Sequence, residues 1–242
     1  MRVRETILGC GVLALLFAGI GQAWEPDETT ATMVNKFLEA TKIQQQALRG
    51  AQMEADIDAQ IPKLKEQGKW KMLRKISELG KITYSKLGDF VGDKTVQHEV
   101  IARYIQMETG GDTPQGQSIA ITPENYKFRL KTKMTAGAQR IYVFELTPRR
   151  KAVGLFKGEL WLDGATGMPI KESGTLVKNP SIFIKSMAFV NEFSIHDGVA
   201  WPSRVICHVD THLAGRADLD VHFGDPTRIP NDEASPEITD AP

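Results

Sequence analysis

Cysteine is scarce in this chain, and the two that it has are not expected to bridge each other. The sequence of 242 residues contains only Cys10 and Cys207. Cys10 lies in an apolar N-terminal run that we expect to be removed, which leaves Cys207 alone. An intrachain disulfide in the remaining chain is therefore excluded, and stability must come from a hydrophobic core.

An excess of charge of either sign is also missing. Lys plus Arg and Asp plus Glu number 30 each, so the formal net charge is zero. Nucleic acids and anionic lipid surfaces attract basic proteins, and this chain has no basic excess. Its main basic cluster, Pro148-Arg149-Arg150-Lys151, is typical of a solvated turn between strands. We therefore expect no nucleic-acid partner.

Motifs that mark catalytic sites are missing as well. The sequence contains no nucleophile elbow, no phosphate-binding glycine loop and no spaced set of metal ligands. Serine, histidine and aspartate are present, but none lies in a pattern that would activate a nucleophile. These absences predict a protein that is not an enzyme and needs no cofactor.

The N-terminus has the pattern of a secretory signal peptide over residues 1–23. Arg2 and Arg4 precede an apolar run, and small residues lead to Ala23. The run is too short to span a bilayer comfortably, and a charged segment follows it. We expect cleavage after Ala23 and export to the periplasm, with retention as an uncleaved anchor as the alternative.

The first part of the mature chain predicts two helices with a strand between them. Apolar residues at helical spacing run from Thr30, a candidate cap, to Gly50, just past the last turn. The segment 52–61 alternates apolar and polar side chains and ends at Pro62, as a half-buried strand would. A second amphipathic segment predicts a helix over 69–79.

Most of the chain beyond residue 80 predicts strands. From Gly154 to Phe223, apolar and polar residues alternate between Gly, Pro and Asn turns, which is typical of antiparallel strands with one buried face. Three apolar faces are predicted: Met187, Phe189, Phe193 and Ile195; Trp201, Val205, Cys207, Val209 and Leu213; Leu219, Val221 and Phe223. Further strands are predicted over 82–87, 95–107, 125–131 and 140–147.

Two segments predict irregular chain. Residues 108–118 are rich in Gly, Thr and Gln, which predicts a mobile loop. Residues 224–242 are acidic and proline-rich with few large apolar residues, which predicts a disordered tail.

Four segments carry a likeness to a known family: ITPENYKFRLK, VFELTPRRKAVGLFKGELWLDGATGMPIKESG, VKNPSIFIKSMAFVNEFSIHDGVAWPS and VDTHLAGRADLDVHF. Over roughly residues 51–223 the chain resembles the outer-membrane lipoprotein-sorting proteins related to LolA and LolB. The resemblance implies a mainly β (α+β) fold, an incomplete, strongly curved antiparallel β-barrel covered by one or two helices. It also implies a single domain over residues 24–223 that holds acyl chains and acts in outer-membrane biogenesis. We expect the protein to be a monomer.

The concave face of such a strongly curved sheet is the expected place for a ligand. A concavity wider than its own side chains can fill must be covered by helices or by a ligand. The aromatic candidates for its lining are Phe144, Phe156, Trp161, Phe189, Phe193, Trp201 and Phe223. The alternative is that these residues pack a dry core against the helices.

The last predicted hairpin carries a polar face of histidine and aspartate. Its members are His208, Asp210, His212, Asp218, Asp220 and His222. Imidazole and carboxylate groups in this arrangement could bind a transition metal. A strand with one buried face must be polar on the other, however, so we expect a solvated surface with cross-strand pairs and no metal. Cys207, on the apolar side, is expected to be a small core residue.

The sequence thus predicts a periplasmic, non-enzymatic carrier or binding protein for an apolar ligand, either a lipid or the acyl chains of a lipoprotein. The alternative is an envelope sensor or interaction protein on the same scaffold, with an envelope protein as its partner.

Overall fold

A computed structural model describes residues 28–110 and 119–230. The predicted signal peptide, residues 111–118 of the predicted loop and residues 231–242 of the predicted tail lie outside these ranges. Within them, none of the helices combines the length and the apolar character needed to cross a membrane.

Twelve strands form one antiparallel sheet. Their bounds are β1 Ala51–Ile61, β2 Glu66–Ile76, β3 Ile82–Lys86, β4 Val91–Gly92, β5 Tyr126–Ala136, β6 Gln139–Pro148, β7 Phe156–Asp163, β8 Pro169–Leu176, β9 Ile184–His196, β10 Val199–Thr211, β11 Arg216–Phe223 and β12 Thr227–Arg228. The helices are α1 Glu28–Leu48, α2 Lys94–Val96 and α3 Ala102–Thr109, and a π turn over Gln97–Ile101 joins α2 to α3.

The strand order is β3-β2-β1-β11-β10-β9-β8-β7-β6-β5, with β4 added to β2 and β12 added to β1. Strands β5 to β11 form a continuous meander, and the N-terminal hairpin joins it where β1 pairs with β11. The strands β3 and β5 stand at opposite ends and do not pair, so the sheet is an incomplete barrel. The predicted mainly β, open-barrel fold is confirmed.

Helix α1 covers one part of the concave face, as the helical spacing predicts. Met33, Val34 and Phe37 are buried on one side of the helix and pack with residues of β5, β6 and β7. Gly50 follows the helix with φ of 67°, a left-handed conformation that glycine adopts at little cost. The predicted helix is confirmed, although it begins at Glu28 and Thr30 lies inside it.

The predicted helix over 69–79 is wrong, because this segment belongs to strand β2. Met72 and Ile76 suit one side of a helix, but Met72, Arg74 and Ile76 also alternate with Leu73 and Lys75. All eleven residues of β2 pair with β1, from Glu66 opposite Ile61 to Ile76 opposite Ala51. Tertiary pairing with a well-patterned strand outweighed the local helical spacing.

The predicted strand over 95–107 is also wrong, because this segment is helical from α2 to α3. Val96, Ile101 and Tyr104 are buried, whereas Glu99 and Arg103 are exposed, and these spacings fit a helix. The buried residues pack on Ile57, Met72 and other residues of β1 and β2. The helical region therefore covers a second part of the concave face.

The predicted tail is structured at its beginning. Thr227–Arg228 forms β12 against Ala51 and Gln52 of β1. The Arg228 Nη1 atom also donates to the carbonyl oxygens of Ala47, in the last turn of helix α1, and of Arg49, just beyond the helix. The expectation of disorder from Gly224 onward is therefore wrong for residues up to 230.

Candidate ligand-binding cavity

Two large groups of buried side chains divide the concave face. One lies under α2 and α3 and includes Ile57, Val96 and Val221. The other lies under α1 and includes Phe37, Phe144 and Phe156. Side chains of strands β9 and β10 contribute to the packing of both groups.

A cavity of about 530 Å³ opens on this face, in the size range of small-molecule sites. We call it the central cavity. It is lined by Arg74, Tyr104, Met107, Glu108, Ile119, Val153, Gly154, Leu176, Pro180, Met187, Phe189, Asn191, Glu192, Phe193, Pro202, Arg204, Val205, Cys207 and Phe223. Most of the lining side chains are apolar, and only a few polar groups are available to orient a ligand.

Phe189 connects the cavity to the core beneath α1. Its ring packs against Phe156 with centroids 4.9 Å apart and planes at 84°. Phe156 lies over Gly174 of β8, where an added Cβ would approach the ring to 2.4 Å. A residue without a side chain is therefore needed at position 174, and the core supports Phe189 from one side while the other side faces the cavity.

The structure brings five of the seven predicted lining residues to the concave face. Phe189, Phe193 and Phe223 line the central cavity. Phe144 and Phe156 are enclosed in the adjoining core, which is the dry packing that we considered as the alternative.

Trp161 does not belong to the concave face, and its prediction needs correction. It alternates with Leu160 and Leu162, which are fully buried in the core. Its ring instead receives the Lys171 ammonium at 5.6 Å, and its Nε1 donates to Glu159 at 3.0 Å. Trp161 therefore lies among charged side chains on the convex face.

Trp201 is the second correction, and a β-bulge explains it. The pairing of β9 with β10 shifts register between Pro202 and Arg204, so the alternation changes sides there. Pro202 and Val205 both line the cavity, and Trp201 lies on the opposite side of the strand from Pro202. Strict period-two counting from Val205 put Trp201 on the wrong face. Leu213, also predicted for the apolar face, is 76% exposed in the turn after β10.

A buried arginine that the sequence analysis did not single out reaches the cavity from β2. Arg74 is 7% exposed, and its Nε and Nη2 atoms donate to Glu108 Oε2 at 3.2 and 3.0 Å. Its guanidinium lies 5.6 Å from the centre of the Phe223 ring. Burial is the largest single effect and opposes its charge, but the Glu108 carboxylate together with Tyr84 and Tyr104 outweighs it, so the pKa of Arg74 is raised. The helical spacing of residues 69–79 does not reveal that the Arg74 side chain points inward, because this direction is fixed by the pairing of β2 with β1.

A carboxylic acid lies beside the cavity on β8. Glu172 pairs with Leu160 on one neighbouring strand and with Asn191 on the other, and both partners face inward. The Asn191 Nδ2 atom donates to Glu172 Oε2 at 3.4 Å. Desolvation raises the pKa of Glu172, and the hydrogen bond from Asn191 only partly opposes this. The neutral acid is thus favoured over a wider pH range than usual.

Cys207 is buried in the wall of the cavity, on the apolar face where the sequence places it. Burial raises the pKa of its thiol to about 11, and the negative charge of Asp218 adds to the shift. A thiol with this pKa is a poor nucleophile at neutral pH, which suits a packing residue.

The histidine and aspartate face lies on the convex side of β10 and β11. His208 pairs with Asp218, with Nδ1 and Oδ1 2.6 Å apart, and Asp220 receives hydrogen bonds from Arg204. Arg216 also donates to Asp218. Among residues 28–110 and 119–230 no group of three potential ligands that could hold a metal ion is found. Asp218 and Asp220 thus pair across the strands with His208 and Arg204, and Asp210 accepts a hydrogen bond from the Ser186 hydroxyl at 2.8 Å.

Several solved structures are similar to this chain over most of its length. They include a LolA superfamily protein from Nitrosomonas europaea, at 16% identity over 86% of this chain and 98% of that one, with a TM-score of 0.40. A DUF1329 family protein from Desulfovibrio piger matches at 10% identity over 86% and 99% of the two chains, with a TM-score of 0.43. A domain described as an outer-membrane lipoprotein-sorting protein, from Vibrio parahaemolyticus, matches at 11% identity over 82% and 93%, with a TM-score of 0.37.

No model of a protein family matches the sequence, and no curated protein sequence matches it either. The function proposed below rests on the geometry of this chain's own cavity.

Proposed function

We propose that this protein is a periplasmic binding protein or carrier for an apolar ligand, a lipid or the acyl chains of a lipoprotein. The observation that carries the proposal is the central cavity, which lies between two cores and is lined mainly by apolar side chains. An acyl chain in contact with Met187, Phe189 and Phe193 would remove apolar surface from water on both partners, which drives binding.

A titration with cis-parinaric acid, a fluorescent fatty acid, tests this proposal. The wild type is expected to bind the probe with saturable enhancement of its fluorescence. Phe189→Glu should abolish binding, because the variant places a charge in the apolar wall, where ligand contact would strip it of water. Phe183→Glu is the matched control, because Phe183 is 60% exposed and lies outside the cavity lining. Equal probe binding by both variants, or none by the wild type, would contradict the proposal.

The periplasmic location is tested separately by cell fractionation and N-terminal sequencing. A mature chain that begins at Trp24 in the periplasmic fraction supports it. Recovery of the uncut chain in membranes would contradict it.

A second candidate function is supported by an exposed apolar patch formed by Ile182, Phe183 and Leu213. These side chains are 85%, 60% and 76% exposed, and the His212 backbone N–H binds the Phe183 carbonyl oxygen at 3.1 Å, which joins the two turns. Exposed apolar patches mark interaction sites. An envelope sensor or interaction protein would use this patch, and Phe183→Glu would then weaken capture of a protein partner without changing parinarate binding.

A further inference from the structure

The polar end of the central cavity contains hydrogen-bonding groups that the protein itself does not use. Arg74 directs one edge of its guanidinium, through Nε and Nη2, to Glu108. The Nη1 atom on the other side is buried and has no hydrogen-bond partner within the described ranges. The planar guanidinium can donate to one carboxylate on each of two edges, so Arg74 can donate from Nη1 to a second acceptor group.

Two tyrosines next to Arg74 have the same property. The hydroxyl groups of Tyr84 and Tyr104 are buried, and neither makes a hydrogen bond of standard geometry in the described part of the chain, although Tyr84 lies near both Tyr104 and the Arg74 guanidinium. Their rings meet edge to face with centroids 6.4 Å apart. Burial raises the pKa of Tyr84 to about 12, so both hydroxyls stay protonated and able to donate at neutral pH.

Three unpaired polar groups in one place are costly. A buried donor or acceptor without a partner costs about 1–3 kcal/mol in a folded protein, and native chains contain few of them. Arg74 and Tyr104 line the same cavity as Met107, Met187 and Phe189. The site therefore combines unpaired hydrogen-bond donors with an apolar wall, an arrangement that fits an amphiphile.

The charge of the site favours a small, singly charged head group. Glu108 already balances the charge of Arg74 and repels each negative charge that a ligand brings, so a head group with two negative charges is disfavoured more than one with a single charge. A carboxylate carries one charge and offers two acceptor oxygens for Arg74 Nη1 and the tyrosine hydroxyls. A cationic or purely donating head group would meet the positive edge of Arg74 and gain nothing.

We propose that the ligand of the central cavity is a long-chain carboxylic acid. Its carboxylate binds Arg74 Nη1 with Tyr84 and Tyr104, and its alkyl chain lies along Met187 and Phe189. This inference rests on the proposed acyl-binding function and goes further by naming the head group and the residues that recognise it.

Competition against bound cis-parinaric acid tests the head group. The competitors share a twelve-carbon chain and differ at one end: laurate, dodecanol, dodecylamine and dodecyl phosphate, each below its micellar concentration. Laurate is expected to compete at least about tenfold better than the other three, as for hydrogen bonds to a charged group. Equal competition by laurate and dodecanol would overturn the carboxylate site while leaving acyl binding intact. Tighter binding of dodecyl phosphate would overturn the choice of carboxylate.

The double variant Tyr84→Phe/Tyr104→Phe removes hydroxyls that make no hydrogen bond of standard geometry in the described part of the chain, so its thermal stability should be unchanged or higher. Its preference for laurate over dodecanol should fall to about threefold or less, with dodecanol affinity unchanged. Arg74→Met/Glu108→Gln removes both charges together and should abolish the preference.

Arg103→Met is the matched control, because Arg103 is exposed and pairs with Glu99, one turn earlier, at the surface. It should keep the wild-type preference for laurate. Full preference in the double tyrosine variant would contradict the assignment, and failure of the wild type to bind parinarate at all would contradict the proposed function itself.

Discussion

Phe189→Ala distinguishes a ligand cavity from a dry core most clearly when it is compared with Phe144→Ala. Phe144 is fully buried between neighbours on all sides, and emptying such a site costs about 3–5 kcal/mol of unfolding free energy. Phe189 contacts Phe156 on one side and the cavity on the other. Its removal forfeits one aromatic pair, about 0.5–1.5 kcal/mol, and part of its burial, so we expect about 1–2 kcal/mol in total.

Urea unfolding of the wild type and both variants, followed by circular dichroism, measures these free energies. Parinarate affinity is measured on the same samples. We expect Phe189→Ala to weaken binding more than folding and Phe144→Ala to do the reverse. A loss of 3–5 kcal/mol in both variants, with parinarate affinity unchanged in Phe189→Ala, would refute the reasoning, because Phe189 would then be an ordinary core residue.

Three further predictions follow from buried polar groups. Arg74→Met alone should cost about 3–5 kcal/mol of unfolding free energy, measured by urea unfolding, because it leaves Glu108 without its cation. Arg74→Met/Glu108→Gln should recover most of this loss. If the losses of the two single variants simply add in the double variant, the pairing is contradicted. Glu172→Gln should stabilise the protein relative to the wild type, and increasingly so as pH rises above the ordinary carboxyl range. The reason is that the pKa of Glu172 is raised in the folded protein, so the unfolded chain releases this proton at a lower pH and the wild type loses stability as pH rises. A difference between the melting temperatures of variant and wild type that stays constant from pH 4 to pH 9 would contradict this prediction. In a Cys10→Ser background the Cys207 thiol should react with Ellman's reagent at pH 8 far more slowly than free cysteine, because its pKa is raised to about 11. The reaction should be slower still with parinarate bound. A reaction rate that parinarate does not change would place Cys207 away from the ligand.

The sheet could be predicted from the sequence wherever one face is buried and the other is not. The alternation in β1, and in β9 through Met187, Phe189 and Phe193, identifies both the strand and its inner side. Such strands can be predicted from their own residues, because a strand with one buried and one solvent-exposed face must alternate apolar and polar side chains.

The errors occurred where tertiary contacts decide. Residues 69–76 suit a helix locally and become a strand only because β1 offers a complete pairing partner. The bulge near Ser203 places Trp201 on the convex face. The alternation of apolar and polar residues in the sequence does not reveal where a bulge occurs. Arg74 could not be recognised as a cavity residue, because its direction depends on the strand assignment and its partner Glu108 lies 34 positions away.

Mass spectrometry of the protein purified from the periplasm under non-denaturing conditions shows whether the central cavity holds a ligand. We expect the wild type to carry an acyl-chain amphiphile, released by organic extraction and identified as a long-chain carboxylic acid. Phe189→Glu should carry none, and Phe183→Glu should carry the wild-type amount. A wild-type protein that is free of any lipid, and that binds no parinarate when it is added, would contradict the account.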